Sequence, residues 1–275
     1  MTLGTSHTRI DAPAKVTGAA RYPADLPADG HLHGLVVFSD QPHARMVDIH
    51  LSRARAIPGV VEIFTAADVP VNEYGLTMPD QPVMVGVGDT GRSDVPADVS
   101  RWEADHIALV VAETIEAAQA AAGVIEVTWE PLPVVADIDA ALADGAPLVH
   151  PEKGKNAYLH YKIRKGDPDA VWDEAAAIVE ATYTVPHQEH AYLQPEAAVA
   201  YIDSEGRPTV EIAGQWTHED QMQIAHALDL ADEQVRIIYP AIGGAFGGRE
   251  DMSLQIVLAL SLIHISEPTR LLVQS

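Results

Sequence analysis

Residues 106–129 run HIALVVAETIEAAQAAAGVIEVTW, and no other stretch restricts the fold as much. His106 to Ala112 is a β-forming apolar run of strand length, which predicts a buried strand. Thr114 to Ala122 is alanine-rich and predicts a helix, while Val124 to Trp129 alternates apolar with polar residues and predicts a second strand. A strand, a helix and a strand in succession pack in layers around a shared core, so this part of the chain reads as a β-α-β unit. Leu35 to Phe38 and Val60 to Phe64, the latter introduced by Pro58-Gly59, add two short strands. Asn72 to Val99 is rich in Pro, Gly and Asp without a period and predicts a long surface loop. Glu130-Pro131-Leu132-Pro133 closes the unit, because proline removes a ladder donor and restricts the residue before it. A domain boundary is expected near residue 135.

The second half opens with a short helix at Ile138 to Ala143. Glu196 to Ile202 and Pro208 to Ala213 then read as a hairpin joined by Asp203-Ser204-Glu205-Gly206. Thr217 to Asp220, THED, has the spacing of an acidic capping box, so a helix to about Leu230 is expected. Val235 to Tyr239 is a strand, and behind it comes AIGGAFGGRE, residues 241–250, ahead of a further helix-like run. This glycine-rich strand-to-helix turn suits anion or cofactor binding, since glycine permits positive φ and lets a ligand approach the backbone amides. It is neither a P-loop, because Arg249-Glu250 stand where Lys and Ser or Thr are needed, nor a dinucleotide fingerprint, because Ala245 takes the place of its third residue. The simpler reading is a tight turn with Phe246 as a core anchor.

Composition excludes several partners. Seventeen basic against forty acidic residues give a formal charge of −23, which repels nucleic acid and anionic membrane surfaces. The absence of cysteine removes disulfides, thiolate zinc, a cysteine nucleophile and any cysteine-held iron–sulfur cluster. Electrons produced by redox chemistry here would therefore leave through another polypeptide. The start, MTLGTSHTRIDAPAK, has no apolar core of a secretory signal, and Met252 to Ile265 is too short to cross about 30 Å of hydrocarbon, so the expected location is cytoplasmic. His187 and His190 are spaced i, i+3, but no third ligand follows at zinc spacing, and structural roles are expected. No Gly-x-Ser-x-Gly elbow supports a hydrolase.

Four segments occur in a telling order: RIDAPAKVTGAARYPADL (Arg9 to Leu26), QPHARMVDIHLSRARAIPGVVEIFTAADVP (Gln41 to Pro70), ALVVAETIEAAQAAA with VTWEPLPVV, and AIGGAFGGRE. Together the chain resembles the large, molybdenum-binding subunit of the xanthine dehydrogenase and aldehyde oxidase family. The resemblance implies an α+β fold, with an α/β hammerhead domain over residues 1–135 followed by the N-terminal part of a molybdopterin-binding α/β domain over residues 136–260. It implies that Gln215, in AGQWTHED, and Phe246 contact the molybdenum site and that Gly244, Ala245 and Gly247 complete the cofactor loop. A carboxamide is a neutral donor suited to a metal-oxo group, and bare glycine backbone admits a bulky pterin. Glu250 would orient a purine through its ring N–H groups or nitrogens. Arg249, where the family more often has lysine, keeps the charge and is expected to matter little.

By the same resemblance the cofactor is molybdopterin, in plain or cytosine dinucleotide form, and the partners are a 2Fe–2S subunit and an FAD-binding subunit in an oligomer of such heteromers. The implied reaction hydroxylates a small molecule, xanthine or a related purine, with oxygen from water. Aldehydes and other N-heterocycles are the alternative substrates, and a noncatalytic assembly module is the alternative role. No catalytic residue is expected within this sequence, because the family's general-base glutamate lies near the end of the full-length subunit. Residues 260–270, LSLIHISEPTR, match a translated sequencing adapter, so residues 261–275 read as a non-native tail to be left out of fold reasoning.

Overall fold

A computed structural model describes residues 3–26, 30–88, 95–250, 253–265 and 267–272. Part of the expected loop, 89–94, and the tail residues 266 and 273–275 lie outside the described residues. The helices are α1 (Ala12–Val16), α2 (Ser52–Arg55), α3 (Ile115–Ala122), α4 (Ile138–Leu142), α5 (Thr217–Ala227) and α6 (Ser253–His264). The strands are β1 (Leu32–Phe38), β2 (Ala44–His50), β3 (Val60–Phe64), β4 (Val99–Ser100), β5 (His106–Ala112), β6 (Glu126–Pro131), β7 (Ala197–Ile202), β8 (Pro208–Ile212), β9 (Arg236–Ile238) and β10 (Thr269–Leu272). The fold is α+β, as expected, and forms two compact units: residues 1–132 with 190–275, and residues 133–189.

The larger unit is built on a mixed seven-stranded sheet in the order β3-β5-β1-β10-β7-β8-β9. β5 is buried along its whole length because both of its faces are covered. Leu109 and Val111 point into a core shared with Ile224 of α5, Leu228 at its C-terminal cap, and Ile256, Leu258 and Leu260 of α6. Ala108, Val110 and Ala112 point the other way, onto Ala118 and Ala121 of α3 and Ala54 of α2. The uninterrupted apolar run thus marks a strand between two helical layers, and the small alanines let α3 sit close.

β6 does not return to that sheet. It pairs antiparallel with β2 in a separate sheet of order β4-β2-β6, so the β-α-β sequence is no parallel crossover. Its pattern explains this: only Val127 and Trp129 are partly buried, against a small core of Met46, Val85 and Ile107. A half-exposed strand belongs in a sheet with one wet face.

The expected loop from Asn72 to Val99 is not confined to the surface. Val83, Met84 and Val85 are fully buried, and the equally buried Asn72 clamps Met84, donating from Nδ2 to its carbonyl and accepting from its amide, each at 2.9 Å. The β7–β8 hairpin forms as expected, with Asp203 accepting from the amides of Glu205 and Arg207 and Gly206 at φ +79°. Residues 269–272, within the stretch expected to be a non-native tail, form β10, parallel to β1 and antiparallel to β7. In the smaller unit Asp137 caps α4 through the amide of Ala140 at 2.7 Å, and Asn156 ties the following turn by donating to the carbonyls of Ala141 and Pro147.

Candidate active site

Two approaches to the site meet at Gln215. One is the turn that leaves β8 through Ala213 and Gly214, and the other is the glycine loop that follows β9. Gln215 Oε1 accepts from the amides of Gly247 at 3.0 Å and Arg249 at 3.3 Å, its Nε2 donates to Glu250 Oε1 at 3.3 Å, and its own amide donates to the Arg249 carbonyl at 3.2 Å. The carboxamide therefore gathers the far end of the loop and sets Glu250 beside it. Glu250 is half-buried and precedes α6, which starts at Ser253 rather than directly behind the loop.

The loop's glycines have distinct causes. Gly243 and Gly248 lie flush on the segment His190–Glu196: a Cβ on Gly243 would come within 2.6 Å of Gln194 Cβ, and one on Gly248 within 2.9 Å of His190 Nδ1. Gly244 and Gly247 have φ of +110° and +95°, backbone that side chains rarely adopt. Phe246 stands between them with φ +54° and is 77% exposed, so the core-anchor reading of this ring fails. Ala245 is buried. The amides of Gly244, Ala245 and Phe246 have no hydrogen-bond acceptor among the described residues, whereas Gly243 donates to Gln194 Oε1 at 2.6 Å and Gly248 to the Ala245 carbonyl at 2.9 Å. A strained aromatic held in the open beside three consecutive donors that lack a partner among the described residues has the chemistry to receive an acceptor-rich ligand.

Arg249 does much more than keep a charge. Its side chain is buried, donates from Nε to Glu196 Oε1 at 2.8 Å and from Nη2 to the Gln194 carbonyl at 2.6 Å, and lies 4.1 Å from the centre of the Tyr192 ring. Tyr192 in turn donates to Glu196 Oε1 at 2.5 Å, and burial together with that carboxylate pushes its hydroxyl pKa up. A planar fork that serves a carboxylate, a carbonyl and an aromatic face is not replaced by an ammonium. The signal was present in sequence as a carboxylate, Glu196, at the mouth of the apolar strand AAVAYI, matched by one cation after four glycines.

THED is not a capping box. Thr217 is already helical, Trp216 holds the cap position, and no side chain caps the end. Asp220 is instead fully buried, where Tyr239 donates its hydroxyl to Oδ2, while Oδ1 has no partner among the described residues. Burial, aided by Glu219, pushes the Asp220 pKa up to about 8. Gly214 is fitted between these two side chains, where a Cβ would overlap the Tyr239 hydroxyl, so the pair fixes the turn that presents Gln215. Among the described residues no cluster of three metal-ligating side chains occurs, and no helix is long and apolar enough to cross a membrane.

Comparison with known proteins agrees in both halves. Residues 17–133 match the aldehyde oxidase and xanthine dehydrogenase a/b hammerhead domain, and residues 149–274 match the molybdopterin cofactor-binding domain. The chain is 33% identical over 270 residues to the nicotinate dehydrogenase large molybdopterin subunit of Eubacterium barkeri, covering 98% of this chain and 60% of that protein. It is 33% identical to a probable xanthine dehydrogenase subunit of Bacillus subtilis, covering 97% of this chain and 34% of that protein. The aldehyde oxidoreductase from Desulfovibrio gigas superposes with a TM-score of 0.84 at 28% identity, over 98% of this chain and 30% of that one. The chain thus spans between a third and three fifths of the length of the curated relatives named here.

Proposed function

We propose that this chain, which belongs to the aldehyde oxidase and xanthine dehydrogenase family of molybdenum oxidoreductases, supplies one wall of a molybdopterin site in a protein that hydroxylates an N-heterocycle, xanthine or a related purine foremost. The observation that carries this reading is Phe246, strained at φ +54° and 77% exposed, in a loop with three amides that have no acceptor among the described residues and whose far end is held by the Gln215–Glu250 pair. These residues fit the group: consecutive N–H donors suit an oxygen-rich pterin complex, a neutral carboxamide suits a metal-oxo edge, and the absence of Cβ atoms leaves room.

When bound, the cofactor supplies two-electron oxidation of an electron-poor carbon, with oxygen drawn from water. Gly244, Ala245 and Phe246 would hold it through their amides, and the Phe246 ring would wall the substrate space. Gln215 keeps the loop in place with Oε1 and directs Nε2 into the site. Glu250, held by that Nε2, would accept from a purine ring N–H. The names of the relatives support heterocycles, nicotinate in one and xanthine in another, and the carboxylate at 250 favours the purine. Because this chain has no cysteine, electrons would leave through iron–sulfur and flavin groups held outside it.

The test is the intact parent protein with Glu250→Ala. Loss of one charge-assisted hydrogen bond in the transition state lowers kcat/KM for xanthine by about tenfold to a hundredfold, with little change for an aldehyde. An unchanged preference between the two substrates would remove Glu250 as the purine anchor.

A further inference from the structure

A second cavity, on a face of α5 that takes no part in the glycine-loop site, holds about 320 Å³. Residues Glu219, Met222, Gln223 and His226 recur at helical spacing and form one wall, and the chain at Tyr74, Leu76 and Pro79 forms the other. That facing segment is firmly set: Tyr74 and Gln81 exchange backbone hydrogen bonds, and the Tyr74 hydroxyl donates to Gln81 Oε1 at 3.1 Å. Gln223 is only 7% exposed, yet neither its Oε1 nor its Nε2 has a hydrogen-bond partner among the described residues. A buried carboxamide with both functions idle is costly to keep, so it marks a place where a ligand's donor and acceptor belong.

The chemistry of the walls selects the ligand. A carboxamide pairs in two hydrogen bonds with an edge that carries an N–H donor next to a ring-nitrogen acceptor, the geometry by which glutamine reads an adenine edge. Tyr74, Leu76 and Met222 offer flat and adaptable apolar contacts for the faces of such a ring. Glu219 and Asp232 line the same cavity, and His226 is paired with Glu73 at 3.1 Å, so the surroundings are acidic and disfavour phosphate. We propose that this cavity binds an amino-substituted N-heterocycle, a nucleobase or nucleoside without phosphate, by a paired contact to Gln223. The site is independent of the molybdopterin reading, because none of its residues belongs to the glycine loop or to Gln215.

Ligand-observed NMR and calorimetry on this chain with 9-methyladenine, adenosine and adenosine monophosphate test it. Methyladenine and adenosine bind; Gln223→Met, which keeps the length of the side chain, weakens both at least tenfold; Phe246→Ala leaves both unchanged; and the monophosphate binds at least tenfold more weakly than adenosine. Met222→Glu, on the exposed lip, provides a second variant that fills the cavity without touching the core, and it too abolishes binding. No binding at millimolar ligand, equal binding by Gln223→Met, or tighter binding of the monophosphate would each overturn the proposal.

Discussion

Asp220 ionises only against the cost of leaving a carboxylate in the protein interior, which is why its pKa rises from an ordinary 3.8 to about 8. The sign of the pH effect follows. Below about 4 the carboxyl is neutral in both folded and unfolded chains, and its burial is favourable. Between about 4 and about 8 the unfolded chain gives up the proton while the folded chain keeps it, so stability falls as pH rises; above about 8 the slope vanishes. Urea unfolding should therefore show a larger loss of stability from pH 5 to pH 8 in the native chain than in Asp220→Asn, and equal losses would show that Asp220 is not the titrating group. Arg249 makes the opposite case, a buried charge with partners. Arg249→Met leaves Glu196 without its partner and should cost about 3–5 kcal/mol by the same measurement, with Arg249→Lys recovering less than half, because lysine cannot serve the Gln194 carbonyl and the Tyr192 ring together. Gln223→Met should raise stability by about 1–3 kcal/mol, since it removes two unmet polar groups and preserves shape.

At the scale of elements, the glycine loop combines two demands that single substitutions separate. Gly248→Ala presses a methyl group onto His190 and Tyr192 and should destabilise by about 1–3 kcal/mol. Phe246→Gly relieves a left-handed residue whose ring is mostly in solvent, so it should be neutral or stabilising by up to about 1 kcal/mol, and a loss beyond that would show that the ring packs after all. The strands were legible wherever pattern reports burial: HIALVVA is the doubly covered β5, and the turn residues of the β7–β8 hairpin stand where turn chemistry put them. What escaped was tertiary. The sheet to which β6 belongs depends on a partner strand, β2, far away along the chain, although its alternating pattern already spoke for one wet face. Val83–Val85 was lost in a Pro- and Gly-rich stretch because three apolar residues are too few to show a period. THED satisfied the spacing of a cap, but Asp220 is drawn inward by Tyr239, which lies on another element. Within the candidate site, Gln215, Phe246 and Glu250 were named by resemblance, while the Arg249–Glu196 pair left in the sequence only a lone carboxylate and a lone cation, whose pairing shows once the loop and β7 lie side by side.

For the molecule as a whole, the formal charge of −23 spreads repulsion over the surface, against which the glycine loop presents N–H donors that have no partner among the described residues. Added salt should therefore stabilise the native state modestly by screening, as thermal unfolding at about 0.05 and 0.5 M sodium chloride would show. The central claim is that this loop, with Gln215 and Glu250, cradles molybdopterin. The most direct measurement is the molybdenum and pterin content of the intact parent protein, by elemental analysis and by pterin fluorescence after acid release, alongside Gly247→Val. The valine forces a branched residue to φ +95° and intrudes on the cradle, so the native protein should retain molybdenum and pterin together and the variant should lose both while remaining folded. A native protein free of both, or a folded variant that retains them undiminished, would contradict the account.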